Sequence, residues 1–350
     1  MPGRLVFLAT THRVAPGLLS WRAWRALGEG QVLAASLDHP QVPYLSEAEI
    51  TVRPVSARSS SPAELAGLLV EHAGTAGSPV VWLADVDGDE DLMRALGELV
   101  TADPDAAPEV EVVHGSYDLP GARLLDLVTT MDQLRRQCPW DRDQTHRSLA
   151  PHLLEEAYEA VEAIETDDLA ALREELGDVL LQVAFHARIA EESDDDETHF
   201  SVDDVAAGIV DKLVRRHPHV FGDVEVSGAE EVKTNWEEIK RAEKRRSSAV
   251  EGIPLGQPAL ALAHALQRRA ARAGVPDDLI ASFARDGIGG ELFAAVARSR
   301  EQGVDPEAAL RHVAREFRDR LLAVEEAGRA EGHNPSDLGP EKWRDRWRST

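Results

Sequence analysis

Leu154-Glu155-Glu156-Ala157-Tyr158-Glu159 and, a short way on, Arg173-Glu174-Glu175-Leu176-Gly177-Asp178 are the stretches that decide how this chain reads. Each lies in a run with apolar residues at helical period, so they read as neighbouring helices, from about Ser148 to Ile164 and from Leu169 to Ile189. Glu156 and Glu159 are three residues apart, as are Glu175 and Asp178, and residues at that spacing share a helix face. Four carboxylates converging inside a helical bundle repel one another unless cations sit between them. Oxygen-only ligands ask for a hard cation, Mg²⁺ or its substitute Mn²⁺. A lone EExxE run also fits a solvated acidic face. The second run shifts the balance towards metal, because Leu172, Leu176, Val179, Leu180 and Val183 surround it and an inward acidic pair is costly without a partner. Gly177 at mid-helix, a poor helix former, points to close helix approach.

The flanks give the organisation. Leu5-Val6-Phe7-Leu8-Ala9 and Val80-Val81-Trp82-Leu83-Ala84 are buried-strand signals, with helical stretches from Ser61 and from Asp89 to Val100, so residues 1–118 read as a small α/β domain. Residues 119–250 read as all-α. Leu124 to Gln137 is helical, Cys138-Pro139-Trp140-Asp141 breaks that helix, and Pro151 suits the first turn of the next. Glu165-Thr166-Asp167-Asp168 is a polar turn able to cap its successor. Further helices run from Ser201 to before Pro218 and from about Glu230 to Arg246. Residues 251–350, after Gly252-Ile253-Pro254-Leu255-Gly256, are helical again. There Asp286 to Phe293 aligns with Glu174 to Leu181, so that Gly287 and Gly290 stand opposite Glu175 and Asp178. The fold class is therefore mainly α: a helical bundle between a small α/β domain and a degenerate helical repeat.

Composition narrows the function. Of 350 residues, 43% are hydrophobic and 29% charged, as in ordinary globular proteins. The formal net charge of −25 argues against binding nucleic-acid backbones, which needs a basic surface. The single cysteine, Cys138, excludes an intramolecular disulfide or a multi-thiolate metal site. No apolar run approaches the roughly 20 residues that span a bilayer, and a reducing cytoplasm is the expected location.

A basic complement follows the acids. Lys212 and Arg216, with Arg215 beside them, lie four apart on one helix, and Trp236 and Lys240 four apart on the next. Cations facing a metal cluster suit a polyphosphate, and a tryptophan beside a phosphate-binding lysine can stack a base. Singly, each also fits a surface charge or a core anchor. Glu155 and Glu174 are spare carboxylates that could orient or deprotonate an attacking water, or serve behind the ligands. Neither acidic run offers the Glu-x-x-His of a di-iron bundle, although His186 lies eight residues past Asp178. His217-Pro218-His219 reads as a helix stop.

Cys138-Pro139-Trp140-Asp141 with Gln144-Thr145, the two acidic runs, and Lys212 to Phe221 together resemble the MazG family of nucleoside triphosphate pyrophosphohydrolases, over about Leu124 to Lys240. The resemblance implies an all-α fold built by two subunits, hence a homodimer, and Mg²⁺-dependent cleavage of NTPs and dNTPs to the monophosphate and pyrophosphate. It implies that Glu156, Glu159, Glu175 and Asp178 hold metal, that Lys212, Arg216 and Lys240 contact phosphates, and that Trp236 lies at the nucleotide. Trp140, Gln144 and Asn235 are candidates for the base. Residues 1–118 weakly resemble a truncated tetrapyrrole-methylase-like domain, but without a Gly-rich loop near Leu8-Ala9-Thr10 no methyl transfer is expected. Alternatives are a house-cleaning enzyme narrowed to damaged nucleotides and a non-catalytic regulator binding (p)ppGpp or NTP.

Overall fold

The computed structural model describes residues 3–349 apart from 56–60, 87, 106, 233–234, 237–238, 240–247, 284–285 and 335–338. It divides into two compact units, Met1–Asp211 and Lys212–Thr350.

The first unit opens with a parallel sheet in the order β3-β2-β4-β1-β5. Its strands are β1 (Arg4–Ala9), β2 (Gln31–Ala34), β3 (Val52–Pro54), β4 (Val80–Leu83) and β5 (Glu109–His114). Strands covered on both faces are apolar at every position rather than at alternate ones, which is why Leu5 to Leu8 and Val80 to Leu83 read so clearly. Their side chains nonetheless divide by parity. Leu5, Phe7, Val80 and Trp82 pack with Leu65 and Leu69 of α3 (Pro62–Thr75) and Leu92 and Leu96 of α4 (Glu90–Ala102). Val6, Leu8, Val81 and Leu83 face the opposite layer, Ala23 and Leu27 of α1 (Trp21–Glu29) and Leu45 of α2 (Val42–Glu47). The Ser61–Glu64 capping box starts α3, and the Trp82 indole N–H donates to Asp89 at 2.8 Å just before α4.

Helices follow: α5 (Arg123–Gln137), the short α6 (Pro139–Asp143), α7 (His146–Glu165), α8 (Leu169–Ala190), α9 (Val202–Arg216) and α10 (Pro218–Phe221). Thr145 and Ser148 form the capping box of α7, so that helix begins two residues earlier than its apolar period indicates, and Pro151 lies inside it rather than in its first turn. Asp168 caps α8 by accepting from Ala170 and Ala171 N–H, both at 3.0 Å. Asp167 in the joining turn takes a φ of +57°, a conformation Asp tolerates better than most residues. α7 and α8 thus form an antiparallel hairpin against α5, with Met131, Leu149, Ala184 and Phe185 as its core.

Arg135 of α5 joins these pieces. Its side chain is only 9% exposed. One guanidinium edge donates to both Glu192 carboxylate oxygens, at 2.8 and 2.7 Å, beyond the end of α8. The remaining nitrogen donates to the carbonyls of Asp141 and, at 3.1 Å, Gln144. A second joint ties the helices to the sheet. Arg13, after β1, pairs with Asp118 and Asp126, and His12 lies 2.8 Å from the same Asp126 carboxylate in the first turn of α5.

The second unit holds α11 (Ala259–Arg272), α12 (Asp277–Ser282), α13 (Ile288–Glu301), α14 (Pro306–Ala330) and α15 (Pro340–Ser349), with Ile280, Val296 and Val324 among its buried apolar residues. The repeat is less complete than the alignment suggests. α11, which the alignment sets opposite α7, has 14 residues where α7 has 20, and Gly287 is not a mid-helix residue but the N-cap of α13, with a φ of +100°. Among the described residues, no helix is long and apolar enough to cross a membrane.

Candidate metal centre

Two helix starts set the register of the site. From the Thr145 cap, Glu156 falls midway along α7, and from the Asp168 cap, Glu175 and Asp178 fall on the second and third turns of α8. The hairpin brings them together: Glu156, Glu175 and Asp178 each offer a carboxylate oxygen within 4.8 Å of the others. All three are half-buried. Burial raises the carboxyls of Glu156 and Glu175 above their ordinary value, and neighbouring acids add to it, Asp178 first for Glu156 and Glu159 first for Glu175.

Glu159 is exposed and stands outside this trio, although it hydrogen-bonds Glu156 and its charge acts on Glu175. Glu155 and Glu174 are exposed on the flanks; Glu155 lies 3.6 Å from His152. Gly177 has open space where a Cβ would stand, so within this chain no close helix contact requires it, contrary to the sequence expectation.

Three converging carboxylates, with those of Glu156 and Glu175 raised by burial and by the acids beside them, fit a hard divalent cation: oxygen donors only and half-buried. Mg²⁺ or Mn²⁺ at 100 times its dissociation constant is therefore expected to stabilise the protein by about 2.7 kcal/mol, read as a rise in the thermal midpoint over a chelator control. No rise would remove the metal centre.

The other predicted residues fall in two groups. Trp140 on α6 is 55% exposed and meets His152 edge-on, ring centroids 6.4 Å apart. His152 stands one helical turn before Glu156 on α7. Gln144 donates to the Trp140 carbonyl at 3.0 Å and accepts from Ser148 at 2.8 Å, so its amide holds the α6–α7 turn. In the second unit, Lys212 and Arg215 are exposed, while Arg216 is buried with its guanidinium 5.5 Å from the Trp236 ring centroid. Asn235 is half-buried. Lys240 lies outside the described residues.

Sequence reasoning missed two features of this hairpin. Arg135 was not singled out. His146 was not singled out; its ring lies parallel to that of His186, with Nδ1 atoms 2.8 Å apart. Forty residues separate them, and no local pattern announces the pair.

The MazG nucleotide pyrophosphohydrolase domain matches residues 144–221, which spans α7, α8 and α9. The nucleoside triphosphate pyrophosphohydrolase of Escherichia coli K12 is 38% identical over 251 residues, 63% of this chain and 94% of that one. The chain belongs to the MazG family. A second MazG relative, the nucleoside triphosphate pyrophosphohydrolase/pyrophosphatase MazG of Thermotoga maritima, is 40% identical over 63% of this chain and 93% of its own. A Streptomyces cacaoi protein described as "Uncharacterized 26.1 kDa protein in blaB 3'region" is 48% identical over 69% of this chain and 99% of its own. The carboxylate trio lies within the residues that match the MazG domain.

Proposed function

We propose that this chain is a metal-dependent nucleoside triphosphate pyrophosphohydrolase, converting NTPs and dNTPs to the monophosphate and pyrophosphate. The observation that carries the reading is the convergence of Glu156, Glu175 and Asp178 inside the MazG domain. These three, with Glu159 beside them, would hold Mg²⁺. A bound hard cation supplies charge neutralisation on the polyphosphate and lowers the pKa of water. Glu155 or Glu174 orients the attacking water as it adds to phosphorus and pyrophosphate leaves. Lys212, Arg215, Arg216 and Lys240 are assigned to phosphate oxygens, and Trp140, Gln144, Asn235 and Trp236 to the nucleoside end. Trp140 is favoured for stacking because its ring is open to solvent, whereas Arg216 covers the Trp236 ring.

Residues 119–250 act as the catalytic part, between an α/β part and a repeat without metal ligands, giving one centre per chain. Leu154, Leu176, Leu180 and Val183 on the hairpin, and Ile209, Val210 and Leu213 on α9, expose much of their apolar surface. A second copy of the chain, packing helix on helix, would cover them. The role is nucleotide-pool house-cleaning in the cytoplasm. With dNTP and Mg²⁺ the expected products are dNMP and pyrophosphate; dNDP with orthophosphate would overturn the mechanism. A nucleotide panel scored for pyrophosphate separates a general enzyme from one narrowed to damaged bases.

A further inference from the structure

The two edges of the five-stranded sheet are finished differently. β3, at one edge, has three residues and closes on Pro54, so it presents little to a further strand. β5, at the other edge, has six residues. It runs beside β1 in unbroken register, from Arg4 opposite Glu109 to Ala9 opposite His114. It carries no proline, no lysine and no bulge, the usual guards of an exposed edge. Among the described residues, β1 is the strand it pairs with and its outer side meets no other.

The ladder determines which groups this edge presents. Glu109 N–H donates to the Gly3 carbonyl and Gly115 N–H to the Ala9 carbonyl, both at 2.8 Å. Alternate residues of a strand turn to the same neighbour. Glu109, Glu111, Val113 and Gly115 therefore serve β1, and the backbone N–H and C=O of Val110, Val112 and His114 point away from the sheet. The Ser20 hydroxyl donates to the His114 carbonyl at 2.8 Å, using one of its two lone pairs. Val112, in the middle of the strand, is 39% exposed. The charge best placed to repel a partner, Glu111, is bound by Arg4 and, at 2.7 Å, by Arg22.

The strand is its own best match. Two antiparallel copies related by a two-fold axis must set outward-facing residues opposite one another, which leaves two long registers. One sets Glu111 against its own copy, a like-charge pair. The other sets Val112 against its own copy, Val110 against His114 and Glu111 against Val113. No like charges are then directly opposed, and every outward N–H, of Val110, Val112 and His114, meets a carbonyl. Leu18, Trp21 and Tyr117, all exposed, stand within three residues of the Ser20–His114 contact and add apolar surface beside the end of the strand.

We propose that β5 is a docking edge for a second copy of this chain, pairing antiparallel with that copy's β5 about Val112 and joining the two sheets. The self-match selects a second copy over an unrelated extended peptide, because one sequence supplies both strands with valine facing valine at the axis. The pairing does not depend on the pyrophosphohydrolase reading. It is also distinct from helix-on-helix packing, and two different two-fold contacts on one chain build assemblies larger than a dimer.

Sedimentation and spin-label distances on the full chain test this. In a Cys138→Ser background, a nitroxide attached through Glu109→Cys should report a label pair about 20 Å apart, since Glu109 then stands opposite Gly115 of the second copy, six residues at about 3.4 Å each. A separation near 14 Å, about four residues, would put Glu111 against its own copy and overturn the axis at Val112. Val112→Pro removes an N–H that β1 does not use, so the thermal midpoint of dilute protein should hold. Self-association should nonetheless weaken roughly tenfold or more, and the label pair should disappear. Val112→Lys, which sets like charges against each other at the axis, should act the same way. A wild type without the label pair, or a pair that survives both substitutions, overturns the proposal.

Discussion

Glu175→Gln is expected to lower turnover roughly 10³-fold while making the metal-free protein more stable, not less. The rate falls because one of three converging oxygens no longer carries charge. A loss of that size corresponds to about 4 kcal/mol of transition-state stabilisation, at 1.36 kcal/mol per decade. The stability gain has a separate cause. The Glu175 carboxyl is raised by burial and by the acids around it, so its ionised form is strained in the folded chain, and an uncharged amide of the same shape relieves that strain. Kinetics together with melting in chelator check the two halves. The Mg²⁺-dependent rise in the melting midpoint should shrink in the same variant. A variant that loses activity and also melts lower without metal would mean that Glu175 supports the fold instead. Asp178→Asn should lose turnover in the same way.

Arg135→Ala is expected to cost about 2–3 kcal/mol at neutral pH, the range for charge-assisted hydrogen bonds lost with partners left behind. Two carbonyls, of Asp141 and Gln144, lose their donor, and the link from α5 to the end of α8 is cut. Glu192 is 41% exposed, so water takes up part of its charge and its share of the cost is screened. The pH dependence has a definite sign. The hydrogen bond from Arg135 holds the Glu192 carboxyl below its ordinary value of 4.5. Its contribution is therefore complete above that value and is lost as pH falls through the lowered one. Denaturant melts should show the gap between wild type and variant narrowing below about pH 4.5. A gap independent of pH would assign the whole cost to the two carbonyls. Turnover should fall as well, because the α6–α7 turn sets where Trp140 and the start of α7 lie.

What the sequence made legible follows the range of the interaction. Spacing of three on a helix is local, so Glu156, Glu159, Glu175 and Asp178 could be placed on shared faces before any fold was known, although Glu159 proves exposed and outside the converging trio, and the length of α8 came out nearly right. Central strands such as Val80 to Leu83 announced themselves as unbroken apolar runs. The edge strands β3 and β5, short or half-exposed, did not, because their pattern resembles that of a loop. Arg135 meets Glu192 across 57 residues and His146 meets His186 across 40, and nothing within a helical period encodes such partners. Gly177 shows the converse failure: a locally unfavourable residue suggested a neighbour that the chain alone does not supply. The repeat misled for a similar reason, since matching letters placed Gly287 inside a helix that in fact begins one residue later.

Asp126 bears on how the parts of this chain can evolve. Arg13 and His12 reach it from the far side of the sheet domain's sequence, and Arg123 reaches it from within α5. Three cationic or titratable side chains thus depend on one carboxylate in the first turn of α5. A lineage that lost or exchanged the sheet would strand Asp126 on the bundle, and one that changed Asp126 would leave Arg13 with Asp118 alone. Substitutions at Arg13 or His12 and at Asp126 are therefore tied to one another, although more than a hundred residues separate them in sequence.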